Sequence, residues 1–329
     1  MSKEKIQEVT AYAPGSVANV GCGFDVMGFA INEPGDEVTA RFSQHDGVAI
    51  SAIYGENADL LPYRADKNTA GVAVQAMLNA LDTEEIPGIE IELNKKMPLG
   101  SGLGSSAASA VAAVVAVNQL LGNPFTKKEL LPFAVAGEHI SCGVSHADNA
   151  AASLMGGFIF VRSNNPLEVL DLPTPDELYC SIIHPDIEIR TEDTRRILRK
   201  QVSLSDAVTQ WGNVGALVAA LFMEDYELIG RSLHDSIIEP IRSILIPGYP
   251  IVKEEAIKAG ALGCSISGSG PSIFALSRGR ETAEEVSQAM SNAVKNIGMS
   301  YEIYISPVNK NGSILLDQKN IDVENISNQ

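Results

Sequence analysis

Residues Lys95 to Val117 read KKMPLGSGLGSSAASAVAAVVAV. From Gly100 to Ser109 the stretch is glycine, serine and alanine with a single leucine, and an apolar helical pattern follows at once. Upstream, Ile89, Ile91 and Leu93 alternate with Glu90, Glu92 and Asn94, the period of a half-buried strand, and Pro98 ends it. The order is therefore strand, small-residue loop, helix from about Ser105 to Leu121. A helix start exposes unpaired N–H groups and carries about half a positive charge. It attracts anions, phosphate above all. Glycines let the backbone come close and adopt positive φ, and serine hydroxyls add donors or a metal ligand. Such a loop is either a flexible connection or a cradle for a polyphosphate, and its place between strand and helix favours the cradle.

The kind of phosphate ligand is partly readable. A Walker loop ends in Gly-Lys-Ser/Thr, and no lysine stands at that place here. Gly102-x-Gly104-x-x-Ala107 fits the dinucleotide fingerprint, but that reading needs a second parallel strand ending in an acid about 20 residues on. The chain offers Asn123-Pro124-Phe125 and another helix instead, with Thr126-Lys127-Lys128-Glu129 in capping-box form. A dehydrogenase becomes the weaker alternative.

The 329 residues are 45% hydrophobic and 20% charged, an ordinary globular composition of a length that suits two domains. The formal net charge of −17 argues against nucleic acid, which needs a basic footprint. The one basic cluster, Arg195, Arg196, Arg199 and Lys200, is either a solvated helix face or an anion site. Cysteines 22, 142, 180 and 264 have neither Cys-x-x-Cys nor zinc spacing. The polar start shows no signal peptide, and the longest apolar run, Ala107 to Leu121, is too short for a membrane span of roughly 20 residues. A cytoplasmic protein without membrane contact is expected.

Elsewhere, Glu37–Phe42 and Val48–Tyr54 read as paired strands, Thr69–Leu81 as a helix, and Gly157–Val161 with Leu167–Leu172 as a strand pair. Pro173 and Pro175 mark a linker. Beyond it, strands at Tyr179–Ile183, Cys264–Ile266, Ile273–Leu276 and Tyr301–Ser306 alternate with helices in 191–238, 250–260 and 283–297. Asp317 onward reads as a frayed tail. The class is α+β, with domains 1–172 and 173–329.

Pro98-Leu99-Gly100-Ser101-Gly102-Leu103-Gly104-Ser105-Ser106-Ala107-Ala108-Ser109 resembles the ATP loop of the GHMP kinases. Two further motifs of that superfamily follow its order: Ala13 to Asp25 near the start, and Ile266-Ser267-Gly268-Ser269-Gly270-Pro271-Ser272 near the end. The branch it looks like is the one that phosphorylates homoserine. Asn19-x-Gly21-x-Gly23-Phe24-Asp25, His146-Ala147-Asp148-Asn149 before Gly156-Gly157, and Asp235…Glu239-Pro240-Ile241-Arg242 carry that likeness. Cys22 departs from it, standing where the family usually has proline.

The resemblance implies an N-terminal α+β nucleotide-binding domain, a ferredoxin-like C-terminal α/β sandwich, and an active site between them. It implies transfer of the ATP γ-phosphoryl group to the side-chain hydroxyl of L-homoserine, giving O-phospho-L-homoserine and ADP in threonine biosynthesis. ATP and Mg²⁺ are the implied cosubstrate and ion, and a homodimer is the family expectation. Ser106 and Glu138 are the implied magnesium contacts; Ser106 could equally cap the helix. Pro98, Gly100, Ser101, Gly102, Leu103, Gly104 and Ser105 would hold phosphate, with Gly268 and Ser269 beside them. Asn68 would meet the base. Lys95 would approach phosphate or else sit at a solvated strand end. Arg195 and Arg242 would grip the substrate carboxylate, with Thr191 and His146 assisting. Asp25 would pair with its ammonium and Asn19 with the attacking hydroxyl. Asn149 stands where several branches have an aspartate, and an amide cannot take a proton, so catalysis without a base at that position is expected. The alternatives are a kinase of another small alcohol such as mevalonate, and an inactive nucleotide-binding relative. Two arginines argue against sugars, and an ammonium site at Asp25 argues against mevalonate.

Overall fold

The computed structural model describes residues 6–83, 87–142 and 147–320. The first half of the chain builds β1 (Ile6–Ala18), β2 (Met27–Ser43), β3 (Val48–Tyr54), α1 (Thr69–Leu78), β4 (Gly88–Asn94), α2 (Ser105–Leu120), α3 (Leu131–Cys142), α4 (Ala147–Met155), β5 (Phe158–Asn164) and β6 (Leu167–Leu172). The second half builds β7 (Leu178–Pro185), α5 (Thr191–Arg196), α6 (Leu204–Met223), α7 (Tyr226–Ser232), α8 (Glu239–Arg242), α9 (Tyr249–Lys258), β8 (Gly263–Ile266), β9 (Ile273–Arg278), α10 (Arg280–Ile297), β10 (Tyr301–Pro307) and β11 (Ile314–Asn320).

Two sheets organise these elements. A seven-stranded sheet runs β11-β1-β2-β4-β3, with β5 on β2 and β6 on β5. A four-stranded antiparallel sheet runs β10-β7-β9-β8, the strand order of a ferredoxin-like βαββαβ unit, and α9 and α10 pack against it. The chain passes from the first sheet to the second after Leu172, and β11 carries it back to pair with β1.

Two expectations from the sequence change, and one strand is new. The strands at 37–42 and 48–54 exist but do not pair with each other. β4 lies between them, antiparallel to β2 and parallel to β3. The long β1 was not among the expected strands, and it runs straight through Pro14-Gly15. The ladder absorbs it as a register shift between Pro14 and Ser16 opposite β2. Finally, residues 314–320 form an edge strand, although Ile314, Leu315 and Leu316 stay exposed.

α2 explains its own composition. Thirteen of its residues, from Ser105 to Leu120, are buried. It packs on β1 and β2 beneath α1, α3 and α4, and alanine lets all of these approach closely. α10 is the opposite case. Its buried Ala283, Val286, Met290, Ala293 and Val294 recur at helical spacing on one face, and its other face is solvated. Cys22, Cys180 and Cys264 are buried free thiols.

Candidate active site

The small-residue loop adopts left-handed backbone three times, at Gly100 (φ 67°), Gly102 (φ 79°) and Gly104 (φ 69°). A Cβ on Gly102 would lie 2.5 Å from the Ser267 carbonyl oxygen and 2.8 Å from that of Gly270. One on Gly104 would strike the Ser16 hydroxyl and lie 2.7 Å from Asn149 Oδ1. At Gly100 the nearest atom would be 3.6 Å away, so only its φ asks for glycine there. Ala108 N–H makes a helical bond to the Gly104 carbonyl at 2.9 Å. The N–H groups of Ser105, Ser106 and Ala107 therefore have no acceptor within α2. The C-terminal glycine-serine turn packs directly on this loop: Ser267 Oγ donates to the Gly102 carbonyl at 2.7 Å, and Ser272 N–H to that of Ser101 at 3.2 Å.

Loop and turn border a cavity of about 520 Å³ lined by both halves of the chain. Of the described residues the sequence suggested, all line it except Pro98 and Leu103. Leu103 is wholly buried in the core, and its carbonyl accepts the Ser16 N–H at 2.9 Å. His146 lies outside the described residues.

On the loop side, Ser106 Oγ donates to Glu138 Oε2 at 3.1 Å, which joins the first turn of α2 to α3. Glu138 is 4% exposed. Burial pushes its carboxyl up to about 7, while the Ser106 hydrogen bond and the charge of Lys95 draw it down. Lys95 neither ends in solvent nor spreads over the loop. Its ammonium pairs with Asp36 and donates to the Ser105 carbonyl at 2.9 Å and to Ser109 Oγ at 2.7 Å. Asn68 caps α1: its Oδ1 accepts the Ala70 N–H at 3.0 Å, and its Nδ2 donates to the Pro62 carbonyl at 3.0 Å.

On the opposite wall, Arg195 of α5 donates to Asp25 Oδ1 at 2.7 Å. Arg242 of α8 donates to the Gly268 carbonyl at 2.8 Å. Burial, with Arg195 adding its like charge, lowers the Arg242 guanidinium to about 10. Asn19 ties the same region together, donating from Nδ2 to the Gly268 carbonyl at 2.7 Å and accepting the Asp25 N–H at 3.1 Å. Thr191 Oγ1 and Ser269 Oγ share a hydrogen bond at 3.1 Å. Asn149 Oδ1 accepts from Ser16 Oγ at 2.9 Å.

Sequence reasoning missed two lining or neighbouring groups. Asp148, 2% exposed on α4, lines the cavity; burial first and the Asp25 charge second push its carboxyl up to about 7. Its place beside Asn149 in His146-Ala147-Asp148-Asn149 was the available signal. Asp36, wholly buried under the start of α2, gave none, because its partner Lys95 is 59 residues away.

A ferredoxin-like sheet, a second mixed sheet and a glycine loop at the head of a buried helix make the architecture of a small-molecule kinase. Residues 68–157 match the GHMP kinases N terminal domain and 216–296 the GHMP kinases C terminal region. The chain is 51% identical to the homoserine kinase of Chloroherpeton thalassium, with 94% of this chain and 100% of that one covered. It is 46% identical to that of Chlorobaculum tepidum, with 94% and 99% covered. The crystal structure of homoserine kinase from Cytophaga hutchinsonii superposes with a TM-score of 0.91 at 55% identity, covering 96% of this chain and 98% of that one. The chain belongs to the GHMP kinases and, within them, to the homoserine kinase family. L. major mevalonate kinase, at 17% identity and a TM-score of 0.69 with 94% of this chain and 99% of that one covered, shares the fold. Among the described residues no helix is long and apolar enough to cross a membrane.

Proposed function

We propose that this cavity transfers the γ-phosphoryl group of ATP to the side-chain hydroxyl of L-homoserine, releasing ADP and O-phospho-L-homoserine. One observation carries the reading: the glycine loop at the head of α2 and an Asp25–Arg195–Arg242 group border the same cavity. The loop suits a triphosphate, and the second group has both signs of charge, as a free amino acid requires.

The chain positions its reactants more than it reacts with them. Loop amides and the first turn of α2 hold the phosphates, with Gly268 and Ser269 closing the side. Asn68, which lines the cavity, would meet the base. Arg195 and Arg242 take the amino-acid carboxylate, with Thr191 beside them. Asp25 takes the ammonium, and the buried Asp148 adds a second acid near it. Asn19 orients the hydroxyl. Its oxygen attacks the γ-phosphorus, the bond to the bridging oxygen breaks towards ADP, and the hydroxyl proton leaves with a phosphoryl oxygen. The Asn149 amide takes no proton; it fixes Ser16 beneath Gly104.

Magnesium fits this donor set. Among the described residues no three acids, cysteines or histidines form a cage, but Mg²⁺ commonly takes one or two protein oxygens and completes its shell with phosphate and water. Ser106 and Glu138, joined at 3.1 Å beside the loop, would hold it. When bound, it neutralises phosphate charge.

The test is ADP release with Mg-ATP against homoserine, mevalonate, galactose and shikimate. Homoserine is turned over far better than the others. Turnover of mevalonate alone, or of none, overturns the proposal.

A further inference from the structure

Two guanidinium groups beside one small cavity repel each other, and the structure shows what stands between that repulsion and disorder. Arg242 is 3% exposed; the charges of Asp25, Asp235 and Asp148 favour its guanidinium, one N–H goes to the Gly268 carbonyl, and its Nε has no hydrogen-bond partner among the described residues. Arg195 is joined to Asp25. Both converge on Phe24: its ring centroid is 5.0 Å from the Arg242 guanidinium carbon and 5.5 Å from that of Arg195, each within cation–π range.

An aromatic face does something an acid or a carbonyl could not do there. It compensates positive charge through the ring quadrupole and not by accepting with a lone pair. A carboxylate accepts two guanidinium N–H groups in parallel.

The turn that carries the ring is tightly built. Phe24 sits in the turn between β1 and β2, closed by Val26 N–H and Met27 N–H to the Gly23 carbonyl, each at 3.0 Å. Asn19 (φ 71°), Val20 (φ 42°) and Asp25 (φ 61°) all take left-handed backbone. For the β-branched Val20 this is a strained conformation, of the kind that collects at functional sites. A Cβ on Gly21 would strike the Leu233 carbonyl, so the turn is seated against the chain leaving α7.

We infer that Phe24 is a positioning residue for substrate selection: its ring holds Arg195 and Arg242 side by side as one carboxylate-binding pair. This rests on the proposed carboxylate role of the two arginines and adds the group that organises them.

The test compares two acceptors that differ only at this group. Homoserine has the carboxylate; homoserinol replaces it with a hydroxymethyl group and keeps the ammonium. Phe24→Leu raises the KM for homoserine by about 10-fold, the scale of one or two lost cation–π contacts. It changes the KM for homoserinol (or its inhibition constant, where turnover is slow), the KM for ATP and kcat by less than about 2-fold. Phe24→Tyr, which keeps the face, restores the homoserine KM. Should the leucine variant melt early, Phe24→Met repeats the comparison with the volume nearly kept. An equal rise for both acceptors, or no rise for homoserine, overturns the inference while leaving the arginines in place. Equal KM values for the two acceptors in the unsubstituted protein remove the carboxylate role itself, and the inference with it.

Discussion

Replacing Lys95 by methionine leaves Asp36 charged, wholly buried and short of its counter-ion. Removing one partner of a buried ion pair costs about 3–5 kcal/mol. Asp36 keeps three donors: Ser105 Oγ at 3.0 Å, Ser109 Oγ at 2.8 Å and Lys96 N–H at 3.0 Å. These place Lys95→Met near the lower limit, about 3 kcal/mol. At roughly 2–4 °C per kcal/mol for a chain of this order of size, the melting temperature falls by about 6–12 °C. Neutralising both partners in Lys95→Met/Asp36→Asn recovers most of the loss, because contacting residues are non-additive and the cost lies mainly in the stranded charge. Thermal melts of the two single variants and the double, each paired with a KM for ATP, measure this. The ATP KM follows stability, rising in Lys95→Met and returning in the double variant, since Lys95 reaches the loop only through the Ser105 carbonyl and Ser109. A Lys95→Met protein that melts normally, has an ATP KM raised tenfold and gains nothing from the second substitution would refute the reasoning and make Lys95 a direct phosphate ligand.

Two further predictions follow from the same geometry. Gly102→Ala, which drives a methyl group into two carbonyl oxygens, lowers kcat/KM for ATP by at least about 100-fold; Gly100→Ala carries only the left-handed backbone penalty of about 1–2 kcal/mol and lowers it by about 10-fold. Equal losses in steady-state assays would remove the steric account. Asp148 is an acid whose folded-state value, about 7, lies above its ordinary 3.8, so between those values the folded protein binds more protons than the unfolded chain. Its contribution to stability is full below pH 3.8 and is lost as pH rises to 7. Asp148→Asn flattens that segment of a urea-midpoint profile taken without ligands; a steeper segment contradicts the assignment.

Local sequence was enough for the parts of this protein that are local. The loop's glycines, the start and end of α2, the strand pair β5–β6, the βαββαβ order of the second half and the three ordered motifs are all written in short stretches. Each depends on φ, on periodicity or on the small set of residues a phosphate tolerates nearby. The homoserine reading was equally legible, because its motifs are continuous runs.

What required the tertiary structure was whatever depends on residues far apart in the chain. β4 separates β2 from β3, and β11 returns to β1 from the far end of the sequence; strand order is set by which faces can be buried together, and no single strand encodes it. Lys95 looked like a phosphate contact or a solvated end until Asp36 was found beneath α2. Phe24 was one letter in a motif until Arg195 and Arg242, from two later helices, arrived over its ring. A sequence records which groups are available, and their charge states and duties are decided by burial and by neighbours that only the folded chain supplies.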